Sequence, residues 1–294
     1  MHRTQPRALC VTVVIERTPL EDELGDVLDK ALQHAGLTAT SLAERAQVNL
    51  SKIRDAIDYR YDLNGGELSR LSRVLGLNEV GFCALAGGNY PLPEILGLPF
   101  CLFPLRMPHG IGVANAYVVA DCSKQTGLLF DAGSTPAALR RVWPTRIRQI
   151  EAAFITHPET EHMGGLSEVR EFFGAPPVFA PRGGQVAGAT AVSDGTILEF
   201  SGFSVEVLAT PGHVEAHNSY VVRSRTAASG PGLLLSGDLF FAGSIGGAFF
   251  CREKLKSSLR RLFNRLPPET VVAPGHGPLT TVGHELRYNP FVAF

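Results

Sequence analysis

The sequence is sparing with cysteine and sets no pattern among the five it has. Cys10, Cys83, Cys101, Cys122 and Cys251 are odd in number, widely spaced and never paired as CxxC. That excludes a cysteine zinc site, argues against a disulfide framework, and reads as five small reduced thiols in a cytoplasm. No charge sign dominates: the net charge is -1 and the sequence pI is about 6.8, so nothing global points to nucleic acid or an anionic membrane. Long apolar runs are missing too. The opening MHRTQPRALCVTVVIER has a short apolar stretch and no small-residue cleavage site, and GLLLSGDLFFAGSIGGAFF is interrupted by Asp238 and by glycines. Neither an export signal nor a membrane span is expected, and a cytoplasmic location is. No internal repeat of roughly 20–50 residues and no low-complexity segment is present.

What remains is a globular composition, 45% apolar and 19% charged over 294 residues, a length suited to about two domains. The two parts have different periods. An N-terminal segment (1–21) precedes a helical region over 22–88. There LGDVLDKALQHAG has helical spacing and stops at Gly36; LTATSLAERAQV is capped by Thr38 or Thr40; NLSKIRDAIDYR is capped by Asn49 or Ser51; GELSRLSRVLGL and NEVGFCALAGG follow. A glycine- and proline-rich linker over 89–99 ends this part. From 100 to 294 short β-type runs take over: NAYVVAD, GLLFDAG, EAAFIT, FSVEVLAT, NSYVVRS, GLLLSGD and ETVVAPG.

The five helices, with a tight turn between the second and third, resemble the helix-turn-helix domain of the Cro and lambda-repressor type. The resemblance implies that the helix beginning near Ser51 enters a DNA groove, with Lys52, Arg54 and Arg60 as contacts, and that the chain forms a homodimer. The charge opposes this: residues 20–88 carry 7 basic and 11 acidic side chains, whereas DNA-binding domains show a basic footprint. A bundle that dimerises or covers the second domain is the competing expectation.

Four strands end in turns bearing possible metal ligands. EAAFIT leads to His157, Glu159, Glu161 and His162; FSVEVLAT to His213; GLLLS to Asp238; ETVV to His276. Imidazoles and carboxylates meeting at one sheet edge are a ligand set for zinc, iron or manganese. The ordered set THPETEH, TPGH, SGD and APGHGP resembles the metallo-β-lactamase superfamily. SGDLFFAGSIG and PGHGPLTTVGHELRYNPF narrow this to the glyoxalase II (hydroxyacylglutathione hydrolase) branch and its persulfide dioxygenase relatives.

That resemblance implies an α+β fold, an αββα sandwich preceded by the all-α helical domain. It implies one or two divalent ions, zinc by family with iron or manganese as alternatives, and a small-molecule substrate. One ion would take His157, residue 159 and His213, and the other Glu161, His162 and His276. Asp238 would bridge them, with Glu161 and Asp238 as the catalytic groups. Asp131 of LLFDAG would support the site without binding metal, and His217 would stand outside the ligand set. Two departures from the pattern THxHxDH matter. Glu161 is one methylene longer than aspartate. Glu159 replaces an imidazole, which adds negative charge, weakens the Lewis acid and favours harder ions such as iron or manganese. In addition, Gly247 stands where an arginine often follows SIG. The expected activity is hydrolysis of a thioester or ester. Mononuclear-iron persulfide dioxygenation and a DNA- or partner-binding sensor are the alternatives.

Overall fold

Five short helices open the described chain: α1 (Leu24–Ala35), α2 (Ala39–Ala46), α3 (Leu50–Ile57), α4 (Gly65–Leu75) and α5 (Glu79–Ala86). The computed structural model describes residues 18–60, 62–110, 112–227 and 230–293; Cys10 and most of the expected segment 1–21 lie outside them. The caps resolve the open choices. Thr38 accepts from the Ser41 amide and Asn49 from the Ser51 amide, each satisfying a helix-end donor, and Gly36 at φ 64° closes α1. Val27, Leu28, Leu42, Ile53, Leu71 and Phe82 form the bundle's core. Of the three cations expected at DNA, Lys52 lies 3.2 Å from Glu67 and Arg60 lies 2.7 Å from Asp55, while Arg54 is exposed.

The remaining chain forms two six-stranded sheets. The first comprises β1 (Cys101–His109), β2 (Gly112–Ala120), β3 (Thr126–Phe130), β4 (Gln149–Phe154), β5 (Val178–Pro181) and β6 (Thr190–Val192), with helices α6 (Pro136–Val142), α7 (Thr160–Met163) and α8 (Leu166–Phe172) among them. The second comprises β7 (Ile197–Glu199), β8 (Phe203–Ala209), β9 (Asn218–Ser224), β10 (Leu233–Gly237), β13 (Val271–Pro274) and β14 (Thr280–Thr281). Between β10 and β13 lie the small hairpin β11 (Phe240–Phe241) and β12 (Ser244–Ile245) and the helix α9 (Arg252–Arg265); α10 (Val282–Tyr288) ends the chain.

The period of two along each strand builds the layers. Tyr117, Val119, Phe130 and Phe154 meet Val205, Tyr220, Leu235 and Val271 between the sheets. Their neighbours Val118, Leu129 and Ala153 face Leu139 of α6 and Val169 of α8. On the far side Val221, Leu234 and Val272 face Leu255, Leu259 and Leu262 of α9. The result is the expected four-layer order of helix, sheet, sheet, helix.

Three features differ from expectation. CLFPLRMPH was not among the expected strands, yet it forms β1, which among the described residues pairs with β2 alone; an edge position tolerates Pro104 and Pro108 because proline has no amide to give to a ladder. The expectation of reduced thiols is corrected for one pair: Cys101 and Cys122 form a disulfide, while Cys83 and Cys251 are free. The hairpin sets this pairing, since Cys101 lies opposite Ala120, two residues before Cys122. Finally, the helical domain is docked on the sandwich. The Asn78 amide donates to Pro290 at 2.7 Å, Lys30 donates to the Ile245 carbonyl at 2.8 Å, and Asp22 accepts from Ser244 and pairs with Lys30.

Glu285 closes this junction. It is fully buried and accepts from Thr280 (2.7 Å), Asn289 (2.8 Å), the Gly243 amide (3.0 Å) and Tyr90 of the linker (3.2 Å). Burial pushes its carboxyl up from 4.5 to about 7. A group raised in the fold contributes stability that is full below its unfolded value and lost as pH rises through its folded one. Between pH 4.5 and 7, the native protein should therefore lose more stability than Glu285→Ala does. The variant, in which Thr280, Tyr90 and the Gly243 amide lose this acceptor, should be less stable at acidic pH by at least about 1–3 kcal/mol in denaturant unfolding. Equal pH slopes for the two proteins would contradict this account.

Candidate metal centre

Each candidate ligand sits just beyond a strand whose direction the two cores have fixed. His157 follows β4, and Glu159 and His162 flank the start of α7. His213 follows β8, Asp238 follows β10, and His276 follows β13. Both sheets thus deliver ligands to one edge. Ala114 of β2 bridges to His276, and Asn115 donates to the carbonyls of Pro274 (3.1 Å) and Gly277 (2.9 Å), locking the PGH turn across the sandwich.

Asp238 occupies the centre. Its Oδ2 lies 3.2 Å from His276 Nε2, 3.9 Å from His213 Nε2 and 4.0 Å from His157 Nε2, while Oδ1 lies 3.5 Å from His162 Nε2. Glu159 spans the outer side, 3.6 Å from His157 Nε2 and 3.7 Å from His213 Nε2. It stands at the N-cap of α7 without capping that helix, so its carboxylate is free to turn inward. Gly275 is required here, because a Cβ would lie 2.0 Å from Asp238 Oδ1.

The far nitrogen of every candidate imidazole is anchored. His213 Nδ1 donates to the Gly247 carbonyl and His276 Nδ1 to the Val113 carbonyl, both at 2.9 Å. His157 Nδ1 donates to Thr156 Oγ1 at 2.9 Å, whose own proton goes to Asp131. His162 Nδ1 meets Asp131 Oδ2 at 3.0 Å. Protons held on Nδ1 leave the Nε2 lone pairs directed at the centre, the arrangement that prepares imidazole for a metal. Nε2 of His157, His162 and His213, together with Asp238 Oδ1, is buried with no hydrogen-bond partner. Such orphaned atoms are costly in a protein interior, and a cation is the partner that satisfies imidazole lone pairs and carboxylates together. The residues fit a divalent metal.

Charge couples the same groups to one another. Burial opposes charge on His162 and Asp238, yet their mutual attraction, with Asp131 beside His162, carries the histidine well above its usual range and Asp238 well below. The neighbouring imidazoles of His157 and His213 likewise hold Glu159 below the carboxylate range. Burial, with His162 next, lowers His157.

One expected ligand lies elsewhere, and His217 stands outside the ligand set as expected. Glu161 does not join the cluster: its carboxylate faces His109 Nε2 at 3.4 Å, and the ligand-spaced groups are His157–His162–Asp238 and His157–Glu159–His213. Its carboxylate lies at the end of β1, where His109 is the last residue. His217 is buried with its ring centroid 5.1 Å from that of His157 and Nδ1 bonded to Thr210 at 2.8 Å, which places it behind the ligands and not on the substrate side. Sequence reasoning missed His109 and Glu21. Glu21 Oε1 reaches within 3.7 Å of His276 Nδ1 from the lead-in to the helical domain, and no local pattern marks it.

Residues 109–276 match the family model of the metallo-beta-lactamase superfamily, more than half of the 294 residues. The chain belongs to this superfamily. Within the superfamily it resembles the hydroxyacylglutathione hydrolase GloC of Haemophilus influenzae, with 26% identity over 202 residues, 60% of this chain and 92% of that protein. The probable metallo-hydrolase YqgX of Bacillus subtilis is 31% identical over 210 residues, 64% of this chain and 96% of its own length. Among solved structures, the di-iron-bound form of TTHA1623 has a TM-score of 0.50 at 30% identity, covering 64% of this chain and 99% of that one. The helical bundle precedes the matched family region.

Asp131 has φ 58°, a left-handed conformation that asparagine also adopts. Asp131→Asn therefore removes the carboxylate behind Thr156 and His162 while keeping the backbone. Zinc affinity, measured by chelator competition, should fall roughly 10–100-fold with the circular dichroism spectrum retained. Unchanged affinity would remove Asp131 from the support of the site.

Proposed function

We propose that this chain is a metal-dependent hydrolase of a thioester or ester. His157, Glu159 and His213 form one metal position, His162 and His276 a second, and Asp238 lies between them. The observation that carries this reading is the set of four anchored imidazoles whose Nε2 atoms surround one buried carboxylate. A divalent ion there would supply Lewis acidity, making a water acidic enough to attack near neutral pH and drawing electrons from the substrate carbonyl. Asp238 holds the two positions at a fixed separation. Glu159 adds negative charge on the His157–His213 side, which favours iron or manganese over zinc at that position. Glu161, outside the cluster with His109 at its carboxylate, is the rim group able to hold the proton released by the attacking water and return it to the leaving group.

A second reading has an observation of its own. His157 and His213 both lie about 4 Å from Asp238 Oδ2, the two-histidine, one-carboxylate set of a mononuclear iron oxygenase. That chemistry needs open coordination positions, and Glu159 fills one, so hydrolysis ranks first. The helical domain, with Lys52 and Arg60 already ion-paired, acts in this reading as a cover on the sandwich, ahead of a role in reading DNA.

Protein expressed with zinc, iron and manganese all available should retain up to two ions per chain and hydrolyse S-lactoylglutathione. Asp238→Asn should lower both metal content and rate, the rate by roughly 100-fold or more. Oxygen uptake with glutathione persulfide, one iron per chain and no hydrolysis would transfer the assignment to the dioxygenase; a variant with unaltered metal and rate would remove Asp238 from the site.

A further inference from the structure

Phe249 is 80% exposed, the most exposed large apolar side chain among the described residues. Single exposed apolar residues are ordinary, but this one is held in place at the candidate ligands. Its ring lies edge-on to His213, with centroids 5.2 Å apart. The loop that carries it is fastened at both ends. The Gly246 amide donates to Leu239 at 3.1 Å, and the Gly247 carbonyl accepts from His213 Nδ1 at 2.9 Å. The Phe250 amide then donates to His213 at 3.0 Å and the Cys251 amide to Gly212 at 3.1 Å. Gly247 makes room for the ring, since a Cβ there would lie 2.7 Å from it. An aromatic face is thus kept in water, on a loop that also orients a metal-site histidine. Across the cluster, next to His276, Val113 is a second exposed apolar side chain.

The charges around the cluster point the same way. Glu21, Asp131, Glu159, Glu161 and Asp238 all face its histidines or His109, and among the described residues none of the five pairs with lysine or arginine. Their five negative charges exceed those of one divalent ion and of two. No net positive field is left to hold an anionic substrate tail. Lys254, on the first turn of α9, is laid over the Phe250 ring at 4.9 Å.

We propose that the site selects a neutral, apolar acyl group and that Phe249 is the specificity residue that contacts it. This rests on the hydrolase reading above and names its substrate class. Burying part of a phenyl ring against an acyl chain is a preference of roughly tenfold.

The test compares hexanoyl, lactoyl and succinyl thioesters of N-acetylcysteamine, with metal content measured in every preparation. The native protein should prefer hexanoyl over both others in kcat/KM. Phe249→Ala should lower the hexanoyl-to-lactoyl ratio roughly tenfold, while Phe249→Leu retains most of it. In parallel, calorimetry follows binding of the hexanoyl analogue in which CH2 replaces sulfur and which cannot be hydrolysed; Phe249→Ala should weaken it by a similar factor. If hexanoyl and lactoyl turnover change alike and analogue binding is unaltered, the inference fails while the hydrolase reading stands. If no thioester is cleaved but the analogue binds in a Phe249-dependent way, the hydrolase reading fails while the apolar contact stands.

Discussion

Four imidazole nitrogens pressed around one buried carboxylate form the constraint on which the rest of this structure depends. Unpaired polar atoms in an interior cost about 1–3 kcal/mol each, and like-charged neighbours add to that. The arrangement persists only because every other atom of those side chains is committed. Two backbone carbonyls, one hydroxyl and Asp131 hold the Nδ1 atoms. Gly275 leaves Asp238 the space it occupies. Neither sheet supplies the cluster by itself: the first contributes His157, Glu159 and His162, the second His213, Asp238 and His276. The aromatic and aliphatic layer between the sheets is therefore what keeps the two halves of the site at a fixed distance.

The helical bundle reaches the same place from outside. Its contacts fall on the β11–β12 hairpin, just past Asp238, on the start of α9 through Arg252, and on α10 and the residues after it. Glu285 connects that hairpin to β14 and to the linker. Through Glu21 the bundle's lead-in also places a carboxylate beside His276. Charge thus enters the site from three directions: from the bundle, from the loop after β4, and from the strand ends. That set of carboxylates separates this cluster from one built only of histidines.

Much of this was legible along the chain because it rests on local rules. Thr38, Asn49 and Gly36 end helices through side-chain and backbone bonds made within a few residues, and the seven apolar runs are strands because two-sided burial leaves no polar face. Strand-end turns bearing histidine and aspartate marked the candidate ligands. Less legible were features made by distant partners. β1 is hidden by its prolines until its edge position is known, and Cys101 meets Cys122 only through a hairpin register. Glu161 looks like its neighbour Glu159 in sequence, yet one turns to His109 and the other to His157 and His213.

The sequence by itself determined the element types, the ligand-bearing turns and their order, because periodicity and turn chemistry act over a few residues. Only the tertiary structure decided which carboxylate enters the cluster, where the helical bundle rests and which side chain stands at the mouth. Those outcomes depend on packing between segments far apart in the chain, as where Glu161 meets His109 and Glu21 meets His276.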